Sequence, residues 1–490
     1  MWKISRAAGS PAQVKPYRTI VVLSLGALAF GLEASIVLPA LPALARHYGA
    51  SLVTIAWFAT AFQLSAVAAV PLLGRLGDLF GKRRILLLAL TAFVIGSLLC
   101  AITDSIGVAI AGRAIQGAGA AVGPLGLGIA RDTLPRDRLP RAIGALVGGM
   151  TFGGAIGFLL SGLLVDQFSP AAIFWFLFAF AGFLFVATVA CVQESPERAP
   201  RDLNVGGALL VSAGLVALLL AISEGNSWGW TSARIIGLFV AAAVLLALFA
   251  AVEARVSEPL VDLALVARPP FACANLCALL FGFALYLAAY VIPQIAASPR
   301  ATGYGLALST TMIGLLLAPS CVVGFAAAWT AGRLVMRVGP RALVVSGSAL
   351  GVATYISLAL AHSSIDALAA ATAALGISWG LILTGVYAVV MESVAPDASG
   401  IAAAVVVTMR LTGSTIGVQA AFALIAGAGT VGSFPAGSGF TRAFLMGAIG
   451  AGVTLVAAAF LPARRPRDRT RADAGSPARR TGGLARVRQR

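Results

Sequence analysis

Of the eighteen acidic side chains in this sequence, Glu33 is the one that falls well inside an apolar run. A carboxylate there is costly unless it is paired, protonated or facing water. Two basic residues share that situation, Arg113 and Arg410. At ~1.5 Å per helical residue, Glu33 lies ~21 Å from the start of its run, and Arg113, whose run enters from the opposite side, lies ~10 Å below the far surface. In a hydrocarbon layer about 30 Å thick these depths coincide, so a Glu33/Arg113 pair is expected. Burial disfavours an ionised carboxylate and an adjacent guanidinium favours it, so movement of either partner would load or unload a proton on Glu33. A permanent ion pair is the other reading.

Arg410 has no embedded acid in its own half of the chain. Either it binds an anionic group of a substrate or it snorkels along cavity water. Trp57, Gln63, Gln116, Tyr286, Tyr290, Gln294, Trp379 and Tyr387 are polar or aromatic groups within or bordering apolar runs, and are candidate substrate contacts, interfacial anchors or packing. His47 and His362 fall between runs, outside this set.

The elements that position these residues follow from composition. The 490 residues are 59% hydrophobic and 11% charged, with a mean hydropathy of +0.95, far from the mix of soluble domains. Fourteen runs are long enough to cross a bilayer as helices: Thr19 to Leu41, Val53 to Leu73, Ile85 to Ile102, Ile106 to Leu127, Ala142 to Val165, Ala172 to Val192, Gly206 to Ile222, Ile235 to Val252, Phe271 to Ile292, Leu306 to Trp329, Leu343 to Ala361, Ala367 to Met391, Ile401 to Ile425 and Ala443 to Leu461. The expected fold is an all-α integral membrane protein. The first run, although preceded by Lys3, Arg6, Lys15 and Arg18, reads as an uncleaved helix.

Short loops rich in Lys and Arg stay in the cytoplasm. With the N-terminus inside, cytoplasmic segments hold 29 of the 35 basic residues and outer loops hold only Arg46, Arg234, Arg300 and Arg442. Both termini are therefore expected in the cytoplasm of a cell carrying the protein in its inner membrane. The net charge of +17 owes much to the ten arginines after Leu461. That tail reads as a disordered segment attracted to anionic lipid, with no nucleic-acid function. Cys100, Cys191, Cys273, Cys277 and Cys321 all lie in apolar runs, which argues for packing over disulfides or a metal site.

One internal repeat is visible. Gly74-Arg75-Leu76 with Gly81 and Arg83 recurs as Gly332-Arg333-Leu334 with Gly339 and Arg341, a constant offset of 258. Run ten thus corresponds to run two. The expected organisation is a cytoplasmic segment 1–18, a six-helix bundle 19–193, a linker 194–205, two inserted helices 206–256, a linker 257–270, a second six-helix bundle 271–462 and a tail 463–490.

With these motifs assembled, the chain resembles the major facilitator superfamily and, within it, the fourteen-spanner drug:proton antiporters. The segment Gly74 to Arg84, with Asp78, Gly81 and Arg83, is similar to the superfamily signature between spans two and three. Span four carries Arg113, Gln116, Gly117 and Gly119. Span five carries Gly144, Gly153, Gly157 and Gly162 at the antiporter spacing, with Phe158 where that signature has proline and Ser161 where it has glycine. Glu33 to Pro39, Trp57, Gly229-Trp230, Glu253 with Glu258-Pro259-Leu260, and Arg410 with Gly413 and Gly417 extend the resemblance over most of the chain. It implies two six-helix bundles plus an inserted pair, proton-coupled drug export by a monomer without cofactor, a coupling role for Arg113, and a cytoplasmic latch at Gly74, Asp78, Gly81, Arg83 and Arg84. Asp78 would meet the helix start at Ser399 and Gly400. The second copy has Met336 in place of that acid. Phe158 leaves symport open beside antiport, and a single metabolite remains open as substrate.

Other classes find fewer residues. Gly376-Ile-Ser378-Trp-Gly380 matches a hydrolase nucleophile pattern but lies within a span without a histidine to serve it. No His-Glu-x-x-His and no Walker loop occurs, so energy is expected from an ion gradient rather than from ATP. A static channel does not call for a repeated, latched architecture.

Overall fold

In lipid, backbone amides must be satisfied within the segment, which leaves helices as the spanning form for runs of this length. A computed structural model of the chain describes residues 16–134, 139–194, 205–256, 263–393, 399–431 and 434–462. Its helices are α1 (Pro16–Ile36), α2 (Leu41–His47), α3 (Leu52–Phe80), α4 (Lys82–Ile102), α5 (Ile106–Gln116), α6 (Val122–Thr133), α7 (Leu139–Gln167), α8 (Ala172–Cys191), α9 (Val205–Trp228), α10 (Ala233–Glu253), α11 (Leu263–Val266), α12 (Pro269–Ala297), α13 (Thr310–Val338), α14 (Pro340–Leu360), α15 (Ile365–Ser393), α16 (Ser399–Ala426) and α17 (Gly437–Ala459). Thirteen described spans are long and apolar enough to cross a membrane, one of them formed by α5 and α6 together, and the described apolar stretch Phe152–Gln167 of α7 belongs to a further long helix. The chain is a multi-pass helical membrane protein.

Several boundaries differ from the sequence expectation. The first span ends at Ile36, and residues 37–40 form a turn before α2, because Pro39 cannot continue the hydrogen-bond ladder. The tenth begins at Thr310 instead of Leu306: Ala307 adopts φ +52°, and the Ser309 side chain then caps the helix by accepting from Met312 N at 3.3 Å. The fourteenth starts at Gly437, so Arg442 rides on a helix. The seventh runs through Glu224 to Trp228, which places the buried Glu224 within a spanning helix.

The repeat has a backbone counterpart. The segment Gly74 to Phe80 is the end of α3, not a loop, and the chain breaks only at Gly81, whose φ of +107° suits glycine alone. Its mate Gly339 breaks α13 from α14 at φ +86°.

Close helix packing also recurs. α1 lies along α7, and α12 along α16. A Cβ at Gly153 would stand 2.1 Å from the Leu28 carbonyl oxygen, and one at Gly157 would stand 2.7 Å from that of Leu32. Gly413 and Gly417 face the Leu279 and Phe283 carbonyls at 1.8 and 2.2 Å. Glycines here let backbones approach where any side chain would collide. α13 packs on α7, α16 on α3, α9 on α3, and α10 on α9. One apolar cluster joins Leu38, Leu41 and Phe58 to Tyr290, Ile295 and Phe440, closing the end of the molecule opposite Gly81.

Candidate functional site

The span holding Arg113 is not a uniform helix. α5 stops at Gln116, residues Gly117–Ala121 form a 3-10 turn, and α6 resumes the path. A Cβ at Gly117 would meet the Phe62 carbonyl at 2.6 Å, and one at Gly96 would meet the Gly112 carbonyl at 2.5 Å. These glycines draw α3, α4 and α5 together around the two polar side chains at the break.

The structure brings Glu33 and Arg113 together: Arg113 Nη1 donates to Glu33 Oε1 at 2.8 Å. The same nitrogen donates to Gln116 Oε1 at 2.9 Å, and Gln116 Nε2 donates to Ser97 Oγ at 2.8 Å. The guanidinium carbon lies 4.5 Å from the Phe62 ring centre and 5.6 Å from that of Phe58. Glu33 is 1% exposed and Arg113 is 3% exposed. The second carboxylate oxygen, Oε2, is buried with no hydrogen-bond partner among the described residues. One oxygen is thus held by the cation while the other has no hydrogen-bond partner among the described residues.

The remaining sequence candidates have distinct surroundings. Gln116 is fully buried as the second partner of Arg113. Gln63 accepts from Ser414 on α16, and next to it Gln419 Nε2 donates to Thr60 Oγ1 at 2.7 Å. These bonds join α3 to α16 near mid-height. Trp57 donates its indole N–H to Glu224 of α9. Tyr290 lies in the apolar closure, and Gln294 is half-buried one turn further along α12. Tyr286 is buried, Trp379 and Tyr387 are partly buried, and both tyrosines lie within the field of the Arg410 guanidinium. Arg410 is partly buried and forms no hydrogen bond or ion pair among the described residues.

Gly153 and Gly157 face α1, as described, whereas Gly162 faces α13, where its Cβ would stand 2.2 Å from Thr311 Cα. Gly144 belongs to α7, but its surroundings lie outside the described residues. Beside Gly162, Asp166 accepts from the backbone N–H of Thr310 at 3.3 Å and of Thr311 at 2.7 Å. A carboxylate of α7 thereby caps α13 at the end opposite Gly81.

At the Gly81 end, Asp78 pairs with Lys82 at 3.5 Å, and Lys82 also reaches Asp132 of α6. The Arg83 backbone N–H donates to Glu194 Oε1 at 3.0 Å, and Arg83 Nη2 donates to the Val189 carbonyl at 2.8 Å. The Glu194 carboxylate fills the place a Cβ at Gly81 would take. Gly74 borders open space and Arg84 is exposed. The backbone of α16 starts at Ser399, but the side-chain surroundings of Ser399 and Gly400 are outside the described residues.

Sequence reasoning missed Ser97, Asp132, Asp166, Glu194 and Glu224. Each of the four acids sits at a helix end where an apolar run gives way to polar residues, so nothing in its neighbourhood marks it. Among the described residues no cluster of His, Cys, Asp and Glu could hold a metal ion.

Comparison with known proteins gives consistent matches. The sequence profile described as the Major Facilitator Superfamily matches residues 23–418. The chain is 30% identical over 402 residues to the multidrug resistance protein Stp of Mycobacterium tuberculosis, covering 81% of this chain and 74% of that protein. It is 26% identical over 423 residues to the tetracenomycin C resistance and export protein of Streptomyces glaucescens, covering 84% and 77%. Among solved structures, the human organic anion transporter MFSD10 superposes with a TM-score of 0.61 at 17% identity over 92% of this chain and all of that one, which is a likeness of fold.

Proposed function

The chain belongs to the Major Facilitator Superfamily and is a membrane transporter of small molecules, and from that premise we propose that it exports drug-like amphipathic compounds in exchange for protons. The observation that carries this reading is the buried Glu33/Arg113 pair, with Glu33 Oε2 unpartnered beside it. In the ionised state the carboxylate holds Arg113. Protonation of Oε2 weakens that hold, because charge-assisted hydrogen bonds are about twice as strong as neutral ones. The guanidinium then relies on Gln116, the Phe58 carbonyl and the two phenyl faces. This is a two-state element whose balance a proton shifts. The names of two relatives, which speak of multidrug resistance and of resistance and export, support drugs as the cargo.

The moving bodies are the two six-helix halves, 19–193 and 271–462, with 206–256 as an appended pair. The α7/α13 and α3/α16 contacts form the interface on which they rock. Both termini lie in the cytoplasm of a cell whose plasma membrane supplies the gradient, and the Asp78 to Arg84 segment latches the cytoplasmic side. The protein works as a monomer with protons, cargo and lipid as its partners, without metal, cofactor or nucleic acid.

Export from energised cells is the first test. A protonophore that collapses the pH gradient abolishes it at once, whereas ATP depletion with the gradient clamped leaves it intact. Export that follows ATP and ignores the gradient would remove the proposal.

A further inference from the structure

One charge deep in a span has no hydrogen-bond or ion-pair partner among the described residues. Glu33 and Arg113 neutralise one another at 2.8 Å, and Glu224 is engaged by the Trp57 indole near the end of α9. Arg410 remains, with no ion pair to either carboxylate. It stands eleven residues inside α16, roughly 17 Å from that helix's start.

Its backbone is fixed. A Cβ at Gly282 would stand 2.0 Å from the Arg410 carbonyl oxygen, and Gly413 and Gly417 press α16 onto α12 just beyond. Tyr286 lies one turn along α12 from Gly282, and Tyr387 belongs to α15, which packs on both α12 and α16. A partly accessible guanidinium on a fixed backbone, with no anion partner among the described residues, is one half of an ion pair.

We propose that Arg410 is the recognition point for an anionic group, a carboxylate or phenolate, on an aromatic amphipathic cargo. This rests on the transporter reading and narrows its substrate class away from lipophilic cations.

Two dyes sharing one xanthene frame separate charge from shape: anionic fluorescein and cationic rhodamine 110. In fluorescence-anisotropy titrations of the purified full chain, fluorescein binds at least ten times more tightly than rhodamine 110. Arg410→Gln weakens fluorescein on the order of ten- to a hundredfold, as loss of a charged hydrogen-bonding partner does, and leaves rhodamine 110 within about threefold. Retained rhodamine 110 binding, or a monodisperse elution matching wild type, reports that the variant is folded. Arg410→Lys keeps the charge without the fork and falls between them.

Equal or tighter rhodamine binding by wild type, fluorescein binding indifferent to Arg410→Gln, or no binding of either dye by wild type would each overturn the assignment. The transport reading fails separately: dye flux in proteoliposomes that ignores the pH gradient removes proton exchange and leaves the charge preference standing.

Discussion

Adding one methyl group at Gly153 tests how far the coupling pair depends on helix packing. In Gly153→Ala the new Cβ would lie 2.1 Å from the Leu28 carbonyl oxygen and 2.9 Å from Leu32 N, both backbone atoms that cannot rotate away. A tolerable contact needs a little over 3 Å, so α1 must retreat from α7 by about 1 Å. Overpacking of this kind costs about 1–3 kcal/mol, offset by up to ~1 kcal/mol for replacing glycine by alanine in a helix. Glu33 is carried on α1 five residues beyond Leu28, on the face turned away from α7, and a displacement of that size disturbs the geometry of its 2.8 Å contact with Arg113. Gly182→Ala, at a site with nothing within 4 Å, is the control. In detergent, Gly153→Ala melts below both wild type and Gly182→Ala. In proteoliposomes it loses most gradient-driven export, while Gly182→Ala keeps it. Equal melting and export for the two alanine variants would refute the reasoning from packing to coupling.

Two further perturbations act at opposite ends of the molecule. Asp166→Ala removes the cap from Thr310 and Thr311, so the end opposite Gly81 loses about 0.5–2 kcal/mol; in detergent a thiol reagent then labels a cysteine placed at Thr311 faster than in an otherwise identical protein that keeps Asp166. Gly81→Ala forces a side chain into φ +107° and against the Glu194 carboxylate, and is expected to lower thermal stability and export more than Gly74→Ala, which meets open space.

The helical membrane fold was legible because hydrocarbon admits so few backbones and because apolar length is read directly. The apposition of Glu33 and Arg113 was legible for a related reason: charges inside apolar runs are conspicuous, and helical rise fixes their depth. The offset of 258 pointed to a repeated helix break, and Gly81 and Gly339 share that geometry. Partner identity was not legible. Gln63, Gln116 and Trp57 look like cavity-lining groups in one dimension, but which of them meets Ser414, Arg113 or Glu224 depends on helix rotation and interhelical distance. Hydropathy also ends a helix too soon where polar residues begin, which is how Glu224 escaped the seventh span. It began the tenth too early because Leu306, Ala307 and Leu308 are apolar yet not helical.

The central claim is that Glu33 carries the exchanged proton. Glu33→Gln keeps an acceptor for Arg113 Nη1 but has no oxygen to protonate; removing one charge of a buried pair costs about 3–5 kcal/mol, so the variant is taken forward once its elution is monodisperse and matches wild type. The decisive measurement follows a pH-sensitive dye inside proteoliposomes while the better-transported of the two xanthene dyes is allowed to run down its own gradient. Wild type moves protons against the dye flux, whereas Glu33→Gln moves dye without any proton signal. A proton signal of wild-type size in Glu33→Gln would contradict the account and place the carrier elsewhere.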